Sequence, residues 1–93
     1  PEKFKLTQNY PNPFNPTTSI SYDLPKSSFV SLIIYDLKGK TVKMLANSLQ
    51  SSGYKTVQWN STNQNNEPVP AGVYIYELRA GKSRQTKKML LLK

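Results

Sequence analysis

The chain contains no cysteine and no histidine. The first absence excludes disulfides and thiolate metal sites. The second removes the commonest general base and the commonest metal ligand. A Ser-His-Asp triad, a Cys-His pair and a His-rich zinc site therefore cannot be built. Acids are scarce too: Glu2, Asp23, Asp36, Glu67 and Glu77 are the only carboxylates. A paired-carboxylate hydrolase would need two of these to converge, and they are scattered along the sequence. No catalytic residue, metal-ligand set or cofactor motif stands out, so the expectation is a non-enzyme without metal or cofactor. Apolar runs such as Met89–Leu92 are far too short for a transmembrane segment. The chain opens on Pro1 and carries no signal peptide. It reads as a fragment, a processed product or a trimmed piece of a larger protein.

What the chain does have is 93 residues, 37% of them hydrophobic. That suits one domain over residues 1–93 with a thin core, not a deep substrate cavity. The net charge is +8, unevenly placed. Residues 79–93 hold six bases and no acid; the first 78 hold seven bases and five acids. The basic end reads either as a solvated strand that aids solubility or as a docking surface for something acidic.

Hydrophobic alternation has period two almost throughout. Thr18, Ile20, Tyr22 and Leu24 alternate with polar neighbours, which predicts a half-buried strand stopped by Pro25. Phe29–Tyr35 is apolar on both parities, which predicts a central strand. Asp36-Leu37-Lys38-Gly39 reads as a hairpin turn. Lys40–Ala46 returns as a strand with Val42 and Met44 on one side, and Asn47–Ser52 as a loop. Tyr54–Trp59 is the next strand, with Trp59 facing the core. Asn60–Pro68 is a long polar surface loop. In Val73–Ala80, Tyr74, Tyr76 and Leu78 share a face. Gly81-Lys82 turns the chain into a last strand, Arg84–Leu92. A short first strand over Phe4–Gln8 precedes the prolines.

Seven short strands with turn signals about every ten residues predict an all-β fold, a single immunoglobulin-like antiparallel β-sandwich of about seven strands. Tyr74, just after Pro70-Ala71-Gly72, is placed to form a tyrosine corner.

Two segments break strand grammar. In Asn9–Pro16, three prolines in six positions forbid a central strand. Asn12, Pro13, Phe14, Asn15 and Pro16 form a structural motif: the asparagines bond nearby backbone, and Tyr10 and Phe14 plug the open end of the sandwich. A rigid kinked edge explains the segment better than a proline-rich ligand for another domain. The second segment is Thr86–Lys93. Its run Met89–Leu92 is apolar on both parities, yet an edge strand with one wet face should keep alternating. Either it is wedged centrally or its outer face meets a partner. Lys87, Lys88 and Lys93 flank it as gatekeepers. Nucleic-acid binding is not expected, because the bases lie on one strand and the tyrosines sit at core or turn positions. Asn60-Ser61-Thr62 matches the short, common N-glycosylation triplet.

These marks, in order, resemble a known family. Asn9–Pro16 followed by Thr17–Pro25, then Val30–Gly39 with Val42, then Pro70–Tyr76, then the Thr86–Lys93 ending, are similar to the carboxyl-terminal sorting domain of the bacterial type IX secretion system. The first two marks are also similar to the Ig-like domain of the flagellar hook-capping protein. The resemblance implies a non-catalytic secretion signal at the end of a cargo protein, whose cargo domain lies N-terminal in the same chain. It implies passage through the periplasm and across the outer membrane, and a secreted or cell-surface destination. The implied partners are the outer-membrane secretion machinery and, as in many members, a sortase-like protease that removes the tail. The implied recognition residues are Gly72, Val73, Tyr74, Tyr76, Lys87, Lys88, Met89, Leu90, Leu91, Leu92 and Lys93. The competing reading is a structural or adhesive Ig-like module of a surface protein or filament.

Overall fold

Period-two sequences bury alternate side chains, and here the burial repeats with the same period. Thr18, Ile20, Tyr22 and Leu24 are buried along one strand; Val30, Leu32 and Ile34 along the next; Tyr74, Tyr76, Leu78 and Ala80 along a third. The computed structural model describes residues 1–93. Its strands are β1 (Lys5–Leu6), β2 (Thr18–Leu24), β3 (Ser28–Tyr35), β4 (Thr41–Gln50), β5 (Gly53–Trp59), β6 (Gly72–Ala80) and β7 (Ser83–Leu91). They form a three-stranded sheet, β1-β2-β5, and a four-stranded sheet, β4-β3-β6-β7. All pairings are antiparallel. The two sheets enclose one core of 16 residues, among them Trp59, Tyr22, Tyr76, Leu32, Met89 and Leu91. The fold is the all-β sandwich that the alternation predicts.

The details follow from local chemistry. β3, apolar on both parities, lies centrally between β4 and β6. Between β3 and β4, the Asp36 carboxylate accepts bonds from the Lys38 and Lys40 amides at 2.9 and 3.0 Å. Gly39 there has φ +83°, a left-handed value that disfavours any side chain. The Tyr74 hydroxyl donates to the Pro70 carbonyl at 2.6 Å, a tyrosine corner. Trp59 is buried, with Phe14 and Tyr74 against it at ring-centroid distances of 5.8 and 5.3 Å.

Three expectations are corrected. Residues 47–50 are not loop; they continue β4 to Gln50, paired with Ser28–Ser31. Val42 and Met44 do not share a side. The β3–β4 register slips between Leu32 and Ile33 and again between Ile34 and Tyr35. These bulges turn Val42 and Leu45 toward the core and leave Met44, opposite Ile33, exposed. Tyr10 plugs nothing: it is 80% exposed, and Phe14 alone of that pair enters the core.

Candidate recognition site

The sequence places two unusual segments at opposite ends of the chain, and the fold mates them. β7 is an edge strand of the four-stranded sheet, hydrogen-bonded to β6 along one side. Its other side meets the Asn-Pro segment. The Phe14 amide donates to the Leu90 carbonyl at 3.0 Å, and the Leu92 amide donates to the Phe14 carbonyl at 2.9 Å. This makes a parallel bridge from Phe14 to Leu91. The Leu90 amide donates to Asn12 Oδ1 at 3.0 Å, and Gln8 Nε2 donates to the Lys88 carbonyl at 2.7 Å. Further along, the Leu6 amide donates to Gln85 Oε1 at 2.8 Å. A free strand edge is an invitation to pair with another chain. Here the prolines, which lack the N–H a central strand needs, flank Phe14, the one residue of the segment that bridges to β7.

The expectation that Asn12 and Asn15 bond nearby backbone is corrected. Asn12 bonds a residue 78 positions away, not its neighbours. Pro13, Asn15 and Pro16 stay exposed, and the Pro16 carbonyl accepts from the buried Ser61 hydroxyl. Asn9 is buried. Its amide donates to the Tyr76 hydroxyl at 2.8 Å, and its side-chain amide donates to Thr18 Oγ1 at 3.0 Å and to the Pro11 carbonyl at 3.2 Å. The Tyr76 hydroxyl donates in turn to the Thr7 carbonyl at 2.9 Å. No buried side-chain polar atom is left without a partner. Burial pushes the Tyr76 hydroxyl pKa up to about 12, against a smaller opposite pull from the Asn9 amide. Burial also raises Tyr22 and Tyr74. Asn9 was absent from the motif expected at 12–16. The available signal was Thr18, a hydroxyl on the core parity that required a buried partner.

The expected recognition residues divide by face. Tyr74, Tyr76, Met89 and Leu91 are buried. Gly72, Val73, Lys87 and Leu90 are half-buried, and Lys88, Leu92 and Lys93 are exposed. Gly72 opens β6 with φ +148°, a backbone state that side chains rarely adopt. Strand pairing sets Tyr74 opposite Met89, Val73 opposite Leu90 and Gly72 opposite Leu91, so both parts of the set lie at one end of the sheet. Arg79 pairs with Glu77 at 2.9 Å, and Arg84 approaches the same carboxylate at 3.8 Å. Lys87, Lys88 and Lys93 have no acidic partner within 4.0 Å.

Elsewhere the surface has only open clefts, none of them an enclosed cavity. An open cleft of about 350 Å³ lies between the β3–β4 turn and the 60–71 loop, lined by Asp36, Lys40, Asn63, Gln64 and Tyr74 among others. No three acidic side chains gather where a metal ion could be held. No helix is long and apolar enough to cross a membrane.

Two antiparallel sheets tied together by segments from the two ends of the chain, with β7 at a sheet edge, make an immunoglobulin-like β-sandwich. The chain belongs to the secretion system C-terminal sorting domain family, whose pattern matches residues 8–92. No curated protein matches it. Among solved structures it is similar to the dimeric latent PorU of Porphyromonas gingivalis, at 16% identity and TM-score 0.75, over 97% of this chain and 9% of that one. It is similar to PorZ, a surface component of the type IX secretion system of the same bacterium, at 20% identity and TM-score 0.64, over 97% of this chain and 11% of that one. It is also similar to FlgD of P. aeruginosa, at 27% identity and TM-score 0.62, over 80% of this chain and 58% of that one. The likenesses to PorU and PorZ are of fold. The chain spans about a tenth of each of those proteins.

Proposed function

We propose that this chain is a non-catalytic address that directs an N-terminal cargo across the outer membrane by the type IX secretion system, to the cell surface or the medium. The carrying observation is the family match over residues 8–92, which spans both the Asn-Pro segment and the strand it holds. Likeness in fold to PorZ supports the type IX assignment. The secretion machinery is the partner, with a sortase-like protease acting later on the tail. In this reading Tyr74, Tyr76, Met89 and Leu91 serve by folding the signal, since they are buried. Val73, Lys87, Lys88, Leu90, Leu92 and Lys93 serve as the part a receptor touches. Lysines steer an acidic receptor, and the apolar residues beside them supply burial.

The test is a reporter carrying a signal peptide at its N-terminus and this chain at its C-terminus, expressed in a bacterium with a type IX system. The fusion reaches the surface, and deleting residues 86–93 leaves it in the periplasm. Surface delivery of the truncated fusion would overturn the assignment. The likeness to FlgD, whose Xanthomonas campestris counterpart is described as essential for flagellar assembly through hook capping, favours a second reading as an assembly module. That reading requires self-association of the isolated chain, visible by sedimentation at high concentration.

A further inference from the structure

The two sheets have very different outer faces. On the three-stranded sheet, Ser19, Ser21 and Asp23 of β2 face outward beside Gln58, Thr56 and Tyr54 of β5. That is the wet face expected of an antiparallel sheet. On the four-stranded sheet the outward positions include Met44 of β4, Ile33 and Tyr35 of β3, Val73 and Ile75 of β6 and Leu90 of β7, beside polar ones such as Ser31, Asn47 and Thr86. Cross-strand pairing aligns them as Met44–Ile33, Tyr35–Ile75 and Val73–Leu90, an apolar stripe running obliquely across all four strands. The core lies on the opposite side of this sheet; on the stripe Met44 is exposed and Ile33, Tyr35, Val73, Ile75 and Leu90 are half-buried. Strand propensity does not explain the stripe. Ile, Val and Tyr would be favoured on either sheet, yet the outward positions of β2 are Ser and Asp.

We infer that this outer face of the four-stranded sheet is a docking surface for a folded protein whose contact patch is apolar and rimmed by carboxylates. The face explains why the last run is apolar on both parities although β7 is an edge strand: Met89 and Leu91 fill the core, and Leu90 belongs to the stripe. Charge selects the occupant. Lys88, Arg79 and Arg84 lie on the same face with one acid, Glu77. Three bases against one acid attract an acidic surface. A second copy of this chain would bring the same positive excess and repel. A lipid surface is disfavoured because the face holds a carboxylate, Glu77, ion-paired with Arg79, which insertion would have to desolvate. The surface stands on these observations; only its use in export rests on the reading above.

The probe is the purified outer membrane of a type IX bacterium, titrated with the fluorescently labelled 93-residue chain. The chain binds intact membranes, and binding is lost after protease treatment of the membranes. It is absent on vesicles made from their extracted lipids. Ile75→Ser and Met44→Ser each weaken binding about tenfold or more, as truncation of central contacts does. Met44 is 40% exposed at a sheet edge, so that variant keeps the fold, checked by its melting curve. Lys88→Glu and raised salt weaken binding, whereas Thr56→Lys on the opposite sheet leaves it unchanged. The inference is overturned if the wild-type chain does not bind, if binding survives proteolysis or transfers to the lipid vesicles, or if Met44→Ser binds like wild type. Dimerisation lost in Met44→Ser would overturn it as well. Face-dependent binding that is equal on membranes from a strain lacking the type IX system leaves the surface standing and defeats the sorting role.

Discussion

Replacing Phe14 by Ala tests whether the Asn-Pro segment holds the fold or merely rests on it. The Phe14 ring is 2% exposed and lies against Trp59 in the shared core. Truncating a buried Phe costs about 3–5 kcal/mol, transfer and cavity together. At roughly 0.05–0.15 kcal/mol per residue, a domain of this length has about 5–14 kcal/mol in all. One substitution at a chain-end loop should therefore remove a large fraction of the stability. Urea unfolding followed by far-UV circular dichroism measures the loss. Because the Leu92 amide bonds the Phe14 carbonyl, its hydrogen exchange should accelerate together with that of Leu90. A cycle with Leu91→Ala, run on the milder Phe14→Leu so that the double variant stays folded, should give a coupling of about 0.5–3 kcal/mol, as contacting residues do. A cost below about 1 kcal/mol with unchanged Leu92 exchange would place Phe14 among ordinary surface positions. The clasp would then hold nothing.

Three further outcomes follow from the geometry. Tyr76 stays neutral in the fold to about pH 12, while an unfolded tyrosine ionises near 10. Above that lower value the unfolded state holds fewer protons, so stability is full below pH 10 and falls between 10 and 12, by about 2–3 kcal/mol. Tyr76→Phe starts less stable, having orphaned the Asn9 amide, but its alkaline decline is shallower; equal slopes would refute the assignment. Tyr74→Phe removes the bond to Pro70 and should lower the urea midpoint by the equivalent of about 0.5–1.5 kcal/mol with an unchanged m-value. Glu77→Gln should change stability by less than about 1 kcal/mol in low salt, because both arginine partners are more than half exposed. A large loss would mean the pair is structurally coupled to the core.

The parts legible in sequence were those governed by local alternation. β2 and β6 announce their inward faces residue by residue, and the Pro-Ala-Gly turn announces the corner at Tyr74. β4 was not legible in the same way. Each bulge adds a residue that has no compositional mark, and each reverses the side on which the following residues fall. Val42 and Met44, two apart, thus end on opposite sides. The clasp was half legible. Three prolines state that Asn9–Pro16 is no central strand, and Phe14 looks like a core residue. Nothing local tells Asn12 that its partner is Leu90, because that contact is chosen by the topology of the whole chain. The outer-face stripe needed registers too: its six members come from four strands, and no strand holds more than two of them.

The bonds from Gln8, Asn12 and Phe14 to residues 88–92 have a consequence for a polypeptide made from one end. Synthesis delivers the early half of each bond first and the late half last, nearly eighty residues afterwards. A ribosome product interrupted anywhere in between carries the early donors and acceptors without their partners, and the ring of contacts that completes the sandwich stays open. Only a product translated past Leu92 can order that strand, so the same contacts that stabilise the domain also require that everything between the two segments was made.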